Sequence, residues 1–219
     1  MNEGVASDVS DGRARRNGRG RMSAAERREQ LIAIARGSFA ERGFDGTSIE
    51  EIAARAEVSK PVVYEHFGGK EGLYAVVVDR EVRSLLTMMQ EALTAGHPRM
   101  LLEQAALALL DYIEQSSDGF RILVRDSPIG SASGSFVSII GDIANRVEYI
   151  LAAEFKSRGF DAKAAPMYSQ MLVGMVGTTG QWWLDARKPE KRVVAAHLVN
   201  LAWNGLAGIE KKPTLRTQP

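Results

Sequence analysis

The sequence predicts an all-α protein, in which a three-helix N-terminal domain with a helix-turn-helix precedes a larger helical C-terminal domain. Three observations favour this fold. Apolar residues recur every three or four positions over most of the chain, as at Leu102, Ala105 and Leu109, and that is the period of an α-helix. Capping residues precede several of these segments, and glycines close them. The chain has no cysteine, so no disulfide framework determines the fold.

The composition is typical of a globular protein, with 45% apolar and 25% charged residues in 219. We find no apolar run of about eighteen residues, as a membrane helix would need, and no apolar core of a signal peptide. Together with the absence of cysteine, this favours a cytoplasmic protein without a membrane partner. The net charge is only +1, so any nucleic-acid contact must depend on local arrangement.

The first segment, residues 1–22, is rich in glycine, serine and arginine, and we expect a disordered Arg-rich arm. Ser23 and Glu26 then form a capping box. The helix that they open extends to about Arg42, where Gly43 ends it.

Two short helices with a tight turn between them come next. Thr47 and Glu50 are spaced as a second capping box, and apolar residues at helical spacing follow. The turn precedes Ser59, a good N-cap, and Pro61, which suits the first turn of a helix. This second helix spans residues 60–67 and ends at Gly68.

A helix-turn-helix places its second helix in the major groove of DNA. Here that helix buries Val63 and Phe67 at i and i+4, and the residues left pointing outward are Lys60, Val62, Tyr64 and His66. An ordinary helical hairpin inside a bundle is the alternative. The outward hydroxyl, imidazole and amine groups favour contact with phosphates. The arm of residues 1–22 is then either a solvated tail or a segment that follows DNA.

Residues 47–73 read TSIEEIAARAEVSKPVVYEHFGGKEGL, and this pattern resembles the DNA-binding signature of the TetR/AcrR transcriptional regulators. The detailed match covers about residues 24–83. The resemblance implies a sequence-specific transcriptional regulator, namely a homodimeric repressor that binds a palindromic operator in double-stranded DNA and is released by a ligand. An activator of the same fold is an alternative.

Two other classes of protein compete with a regulator. One is an all-helical enzyme, which the three histidines and the lack of a phosphate loop, metal motif or triad disfavour. The other is a helical ligand-binding or architectural protein that no longer recognises specific DNA. We expect no catalytic residue, cofactor or metal.

The resemblance also implies residue roles. Thr47, Tyr64 and Lys70 match positions that grip phosphates, and Lys70 lies at a helix N-terminus, which favours anions. His66 matches a position that contacts the DNA backbone, and Lys60, Pro61, Val62 and Tyr64 match positions at or near base edges. The candidate DNA-binding residues are Thr47, Ser48, Ser59, Lys60, Pro61, Val62, Tyr64, His66 and Lys70.

The predicted division is a DNA-binding domain at residues 23–69, a helical effector-binding and dimerisation domain at 70–210, and a disordered tail at 211–219. The second domain should contain helices at about 70–95, 98–116, 120–125, 135–157, 162–186 and 189–209. A flexible loop is expected at 127–134, and it fails the G-x-S-x-G nucleophile pattern because Ala132 holds the serine position.

The last two long helices are candidates for a dimer interface. Glycine is costly inside a helix, so its recurrence at positions 174, 177 and 180 indicates close approach of another helix. The alternative is that both helices belong to the core of their own chain. The candidate interface residues are Gly174, Gly177, Gly180, Val194, Leu198, Leu201, Ala202 and Gly205.

Aromatic and methionine side chains of the second domain are candidates for an apolar pocket. Ordinary core or interface positions are the alternative for each of them. The resemblance implies an unidentified small-molecule effector, and these side chains favour a largely apolar one. The candidate ligand-binding residues are Tyr112, Phe120, Phe136, Tyr149, Met171, Met175, Trp182 and Trp183.

Overall fold

The computed structural model describes residues 22–93, 96–125 and 136–215, with the backbone alone at 136–140. This part of the chain is helical and contains no strand, so the all-α prediction is confirmed. A single 3-10 turn, Ala162–Ala164, precedes α8. The helices are α1 (Ala24–Arg42), α2 (Ile49–Arg55), α3 (Lys60–Phe67), α4 (Lys70–Ala92), α5 (Pro98–Gln115), α6 (Ser117–Arg125), α7 (Phe136–Arg158), α8 (Ala165–Ala186) and α9 (Lys191–Ala207).

Some predicted segments fall outside the described residues, among them the loop at 127–134 and the Arg-rich arm except for Met22. Residues 211–215 form no helix. No helix in the described ranges combines the length and hydropathy that would be needed to cross a membrane.

The start of α1 has the predicted capping box. The Glu26 amide donates to Ser23 Oγ at 3.2 Å, and the Ser23 amide donates to Glu26 Oε2 at 2.7 Å. The capping box predicted at Thr47 and Glu50 is wrong. Ser48 caps α2 instead, and its hydroxyl accepts from the Glu51 amide.

The head, which we define as α1–α3, encloses a small apolar core. Leu31, Phe39, Ile52 and Val63 are all fully buried in it. Helix α4 packs against this core, since the ring of Tyr74 lies edge-on to Phe39 with 4.9 Å between ring centroids. The head therefore depends on α4 for part of its buried surface.

The core of the head continues without interruption into the second domain. Buried residues of α1 and α2 share one hydrophobic cluster with α4, α5, α6, α8 and the first half of α9. A smaller cluster, which includes Leu151, Phe155 and Leu172, joins α7 to α8 and to the later part of α9. Helix α4 thus belongs to the packing of both halves of the molecule.

Most of the residues predicted for the dimer interface pack inside their own chain. Val194, Leu198 and Ala202 are buried. Gly177 is buried as well, and Gly180 lies against Leu109 and Ile113 of α5. These five positions therefore form intramolecular core, because their helical faces turn toward the chain's own helices. Only Gly174, Leu201 and Gly205 face open space or solvent.

We predict opposite effects of alanine at two helical glycines. A Cβ at Gly180 of α8 would lie 2.9 Å from Leu109 Cδ2, whereas a Cβ at Gly37 of α1 would meet nothing within 4 Å. Gly37→Ala should raise the free energy of unfolding by up to about 1 kcal/mol through helix propensity. Gly180→Ala should lower it, because the overpacking cost of about 1–3 kcal/mol exceeds the same gain in propensity. Urea denaturation measures both, and equal effects of the two substitutions would contradict the packing at Gly180.

Candidate nucleic-acid interface and internal cavity

Helix α3 presents its first turns to solvent. Lys60 and Pro61 are exposed, and the side chain of Tyr64 is 49% exposed. Val62 and His66 are half-buried, and Val63 is fully buried against α1 and α2. The helix can therefore offer a lysine amine and a tyrosine hydroxyl outward while Val63 anchors it.

The turn between α2 and α3 has an unusual backbone. Glu57 adopts a φ of 54°, a left-handed conformation that costs a residue with a Cβ roughly 1–2 kcal/mol. Ser59 occupies the N-cap position of α3, but its hydroxyl makes no capping bond. Gly68 closes the helix with a φ of 73°, which glycine adopts readily.

Two arginines near the start of α1 hold the C-terminal ends of the next two helices. Arg28 Nη1 donates to the carbonyl of His66 at 2.7 Å, and its guanidinium lies over the ring of Phe67. Arg27 Nη1 donates to the carbonyl of Ala56 at 3.3 Å. Cations favour helix C-termini. The roles of these two arginines could not be predicted from the sequence, because their partners are distant in the chain.

Lys60 is paired with Glu50 of α2 across the turn. This pair lowers the pKa of the Glu50 carboxyl and raises the pKa of the Lys60 amine. Both side chains are largely exposed, so the pair adds little to stability. An anionic partner of α3 would have to compete with Glu50 for the amine.

Thr47 and Lys70 were both predicted to contact phosphates, but their side chains form hydrogen bonds within the chain. The buried Thr47 hydroxyl lies near the carbonyl of Ser38 at 3.1 Å and that of Gly43 at 2.8 Å. Lys70 Nζ donates to the carbonyls of Phe44 and Thr47 and lies over the Phe44 ring. Both side chains therefore fasten the loop between α1 and α2 to the rest of the head. The N-cap of α4 is Gly69, which offers no side chain to the first amides of the helix.

A buried carboxylate lies where the head meets the second domain. Glu81 of α4 accepts hydrogen bonds from Arg36 of α1 and from Tyr112 and Ser116 near the end of α5. Burial and the hydrogen bond to Glu81 raise the pKa of Tyr112 well above its usual value, so the phenol remains a proton donor. This site could have been recognised in the sequence, because Glu81 lies four residues after Val77 and four before Leu85, on the apolar face of the helix.

An apolar cavity of about 100 Å³ lies among α4, α5, α7, α8 and the end of α9. No polar or charged side chain of the described residues lines it. A dry cavity of about 150 Å³ in another protein binds benzene, so this volume suits a small ring or part of an aliphatic chain. The lining residues are Leu85, Met89, Leu93, Pro98, Leu101, Leu102, Ala105, Leu109, Ile143, Val147, Ile150, Leu151, Leu172, Val173, Val176, Gly177 and Leu206.

None of the predicted ligand-binding residues is among these. Tyr112, Phe120 and Trp183 are buried in the core, and Trp183 Nε1 donates to the carbonyl of Pro189. Met175 is half-buried near both core clusters. The other side chains are exposed at Tyr149, Met171 and Trp182, and that of Phe136 lies outside the described set. Large aromatic side chains fill the core here, and the space is left between shorter aliphatic ones.

The cavity adjoins a groove between α4 and α7. Met89, Leu93 and Ile143 line both spaces, and the groove adds the polar side chains of Gln90, Asp142 and Arg146. A molecule that extends out of the cavity on this side would meet polar groups.

The last two helices carry exposed apolar side chains along one face each. Met167, Met171 and Trp182 recur on one side of α8. Val193 and Leu201 do so on α9, where Leu201 is 66% exposed. Exposed apolar side chains in such stripes indicate an interaction surface. No group of three or more histidine, aspartate or glutamate side chains in the described ranges is placed to hold a metal ion.

Comparison with known proteins assigns the chain to a family. Residues 31–77 match a family model described as bacterial regulatory proteins of the tetR family, and residues 98–205 match a tetracyclin repressor-like C-terminal domain. The transcriptional activator FasR of Mycolicibacterium smegmatis is 32% identical over 192 residues, which are 86% of this chain and 87% of FasR. The transcriptional repressor BepR of Brucella suis is 26% identical over 180 residues, covering 78% and 86% of the two chains.

A solved structure of a TetR-like regulator from Rhodococcus sp. RHA1 has the same fold. It superposes with a TM-score of 0.69 at 28% identity, covering 86% of this chain and all of that one. The family and these relatives are transcriptional regulators, which excludes the enzyme alternative. With both halves of the chain matched and the helix-turn-helix in place, the protein belongs to the TetR family of DNA-binding transcriptional regulators.

Proposed function

We propose that the protein acts as a homodimer, binds a palindromic operator through α3, and is released from DNA by a largely apolar effector. The observation that carries this proposal is the outer face of α3. This face is exposed at Lys60, Pro61 and Tyr64, while Arg28 and Val63 fix the helix to the head.

In this proposal α3 lies in the major groove. The Tyr64 hydroxyl donates to a phosphate. The Lys60 amine leaves its ion pair with Glu50 and donates to acceptor atoms on the edge of a guanine. Val62 packs on a thymine methyl with the part of its side chain that is not buried. Ser48, Ser59 and His66 flank these contacts.

Thr47 and Lys70 take a different role in the proposal. Because their side chains bind backbone carbonyls of the loop between α1 and α2, they position the backbone there. The first amides of α4 then receive a phosphate, as anions favour helix N-termini.

We predict that Tyr64→Phe weakens binding to all DNA sequences about 10- to 100-fold. A hydrogen bond to a charged group contributes about 1.5–3 kcal/mol, and the substitution keeps the ring while it removes the donor. Fluorescence anisotropy at fixed salt measures the affinity. Tyr149→Phe, an exposed tyrosine of α7, is the matched control. Normal DNA binding by Tyr64→Phe would show that this hydroxyl does not grip DNA.

The operator itself is best obtained by selection from a random DNA pool with purified protein. Two matched half-sites about one helical turn apart, or a multiple of that distance, support a symmetric dimer. Lys60→Ala should then relax base preference at one position in each half-site. Recovery of no motif, with binding lost at moderate salt, would favour a protein that holds only phosphates.

The exposed faces of α8 and α9 supply the dimer interface in this proposal. Two helices from each protomer would form a four-helix bundle about a two-fold axis. Gly174 and Gly205 leave room for close approach, since a Cβ at either would meet nothing within 4 Å in one chain.

We predict that Leu201→Glu dissociates the dimer, because it places a charge in a buried apolar interface. Light scattering should find the unchanged protein at twice the mass of its 23.9 kDa chain and the variant at the mass of one chain. Leu215→Glu, at an exposed leucine beyond α9, should remain dimeric. A dimeric Leu201→Glu variant would remove α9 from the proposed interface.

The cavity among α4, α5, α7, α8 and α9 is the proposed effector site. Its lining favours a hydrocarbon ring or chain, because burial of apolar surface is the interaction that it offers. A polar end of the effector would emerge toward Gln90, Asp142 and Arg146.

We predict that n-alkanols raise the melting temperature of the protein, as any ligand of the folded state does. The rise should grow with chain length until the cavity is full. Ala105→Phe fills the cavity and should abolish the rise, while Ala153→Phe on the exposed side of α7 should keep it. Equal rises for all three proteins would place the alkanols elsewhere.

Repression and activation both fit this scheme. The two relatives differ on this point, since FasR is named an activator and BepR a repressor. We favour a repressor, released by its effector. Mapping the selected operator relative to the promoter it controls would decide between the two.

A further inference from the structure

The Glu81 carboxylate joins four helices at one point. Its Oε1 accepts from Arg36 Nε of α1 at 2.6 Å, and its Oε2 accepts from the Tyr112 hydroxyl of α5 at 2.6 Å. Ser116 Oγ, after the end of α5, donates to Oε2 at 3.1 Å and accepts from Arg36 Nη2. At the start of α6, a Cβ on Gly119 would lie 1.8 Å from Oε2.

The hydrogen bonds of this cluster constrain the relative positions of the four helices. The Glu81 side chain is only 10% exposed, and a buried carboxylate is stable only where charged or hydrogen-bonding partners compensate it. Both oxygens have such partners, and the missing side chain at Gly119 lets α6 approach. A shift of any one helix would lengthen at least one of these bonds.

The cluster connects the head to the second domain. Arg36 belongs to α1, whereas Tyr112, Ser116 and Gly119 belong to the helices beyond α4. A second contact between α1 and α4, the pairing of Glu29 with Arg80, lies at the surface, where such pairs contribute little.

The cluster and the cavity both lie along the packed contact between α4 and α5, which we call the seam. Leu85 and Met89 line the cavity and follow Glu81 by four and eight residues, so all three lie on one face of α4. On α5, Leu109 lines the cavity and precedes Tyr112 by three residues. The hydrogen bond between Tyr112 and Glu81 therefore crosses the seam one turn beyond the cavity.

We propose that Glu81 is a positioning residue for DNA binding, through which occupancy of the cavity alters the orientation of the head. A ligand that widens the seam between α4 and α5 separates Tyr112 from Glu81. Glu81 then loses one of its fixed partners, and α1, which Arg36 ties to the same carboxylate, changes its place relative to α4. This inference rests on the proposed effector site and specifies how that site communicates with α3.

A double-mutant cycle tests the coupling without knowledge of the natural effector. Ala105→Phe fills the cavity and stands in for a ligand, and Tyr112→Phe removes the hydrogen bond across the seam while it keeps the ring. DNA affinity is measured for both single variants and the double variant on the selected operator. In the otherwise unchanged protein, Ala105→Phe should weaken DNA binding about 10-fold or more. In the Tyr112→Phe background, the same substitution should weaken it no more than about 2- to 3-fold.

Equal effects of Ala105→Phe in the two backgrounds would overturn the inference, because additive effects mean independent sites. No effect of Ala105→Phe in either background, with DNA binding intact, would overturn it as well. Failure to select any operator is a different result, since it would contradict the proposed function before the cycle begins.

Two controls separate coupling from loss of stability. Tyr168→Phe removes the hydroxyl of a half-buried tyrosine on α8 that packs on Phe155, and it should leave the effect of Ala105→Phe unchanged. Urea denaturation of every variant identifies any that are partly unfolded. If Tyr112→Phe does not fold, Ser116→Ala takes its place, because it removes a longer bond to the same carboxylate oxygen. A purely structural role would lower the stability of these variants without reducing the effect of the cavity filler.

Discussion

Helix α4 supplies buried surface to two parts of the molecule at once, and its side chains belong to the hydrophobic core of both. The head consists of three helices, two of which have only seven and eight residues, and so small a unit buries little of its surface. Leu73, Tyr74 and Val77 of α4 complete its core. Further along the same helix, Leu85 and Met89 belong to the second domain and border its cavity. A change in the position of α4 therefore affects both.

This sharing explains the distribution of polar groups around α4. Near the head, Lys70 binds two loop carbonyls and Arg80 pairs with Glu29. At the centre, the buried carboxylate of Glu81 is compensated from α1 and α5. Near the cavity the helix is apolar toward its neighbours. Directional contacts thus hold α4 against the head, whereas nondirectional ones pack it around the cavity, where neighbouring side chains tolerate a change in spacing more easily.

Local signals in the sequence predicted the helices well. Ser23, Gly43 and Gly68 act on their own backbone neighbourhood, so the limits of α1 and the end of α3 could be predicted from them. The cap of α2 could not, because Thr47 and Ser48 are equally suited, and hydrogen bonds to the carbonyls of Ser38 and Gly43 hold the Thr47 hydroxyl inside the head. Apolar periodicity identified the buried face of α9 at Leu198 and Ala202, but it does not distinguish the chain's own core from a partner. An apolar pocket was predicted but its lining residues were not, because the cavity is a property of the space between several helices.

The contact between Gly119 and Glu81 constrains the order in which substitutions can accumulate. Any side chain at position 119 would overlap the carboxylate and lie 2.7 Å from Ser116 Oγ, so a larger residue there requires that Glu81 is replaced by a shorter residue and that Ser116 also gives way. The reverse change, acquisition of a glutamate at position 81, requires that position 119 is already glycine. The two positions are thus epistatic, and mutational scans of either one alone would underestimate the range of sequences compatible with this fold.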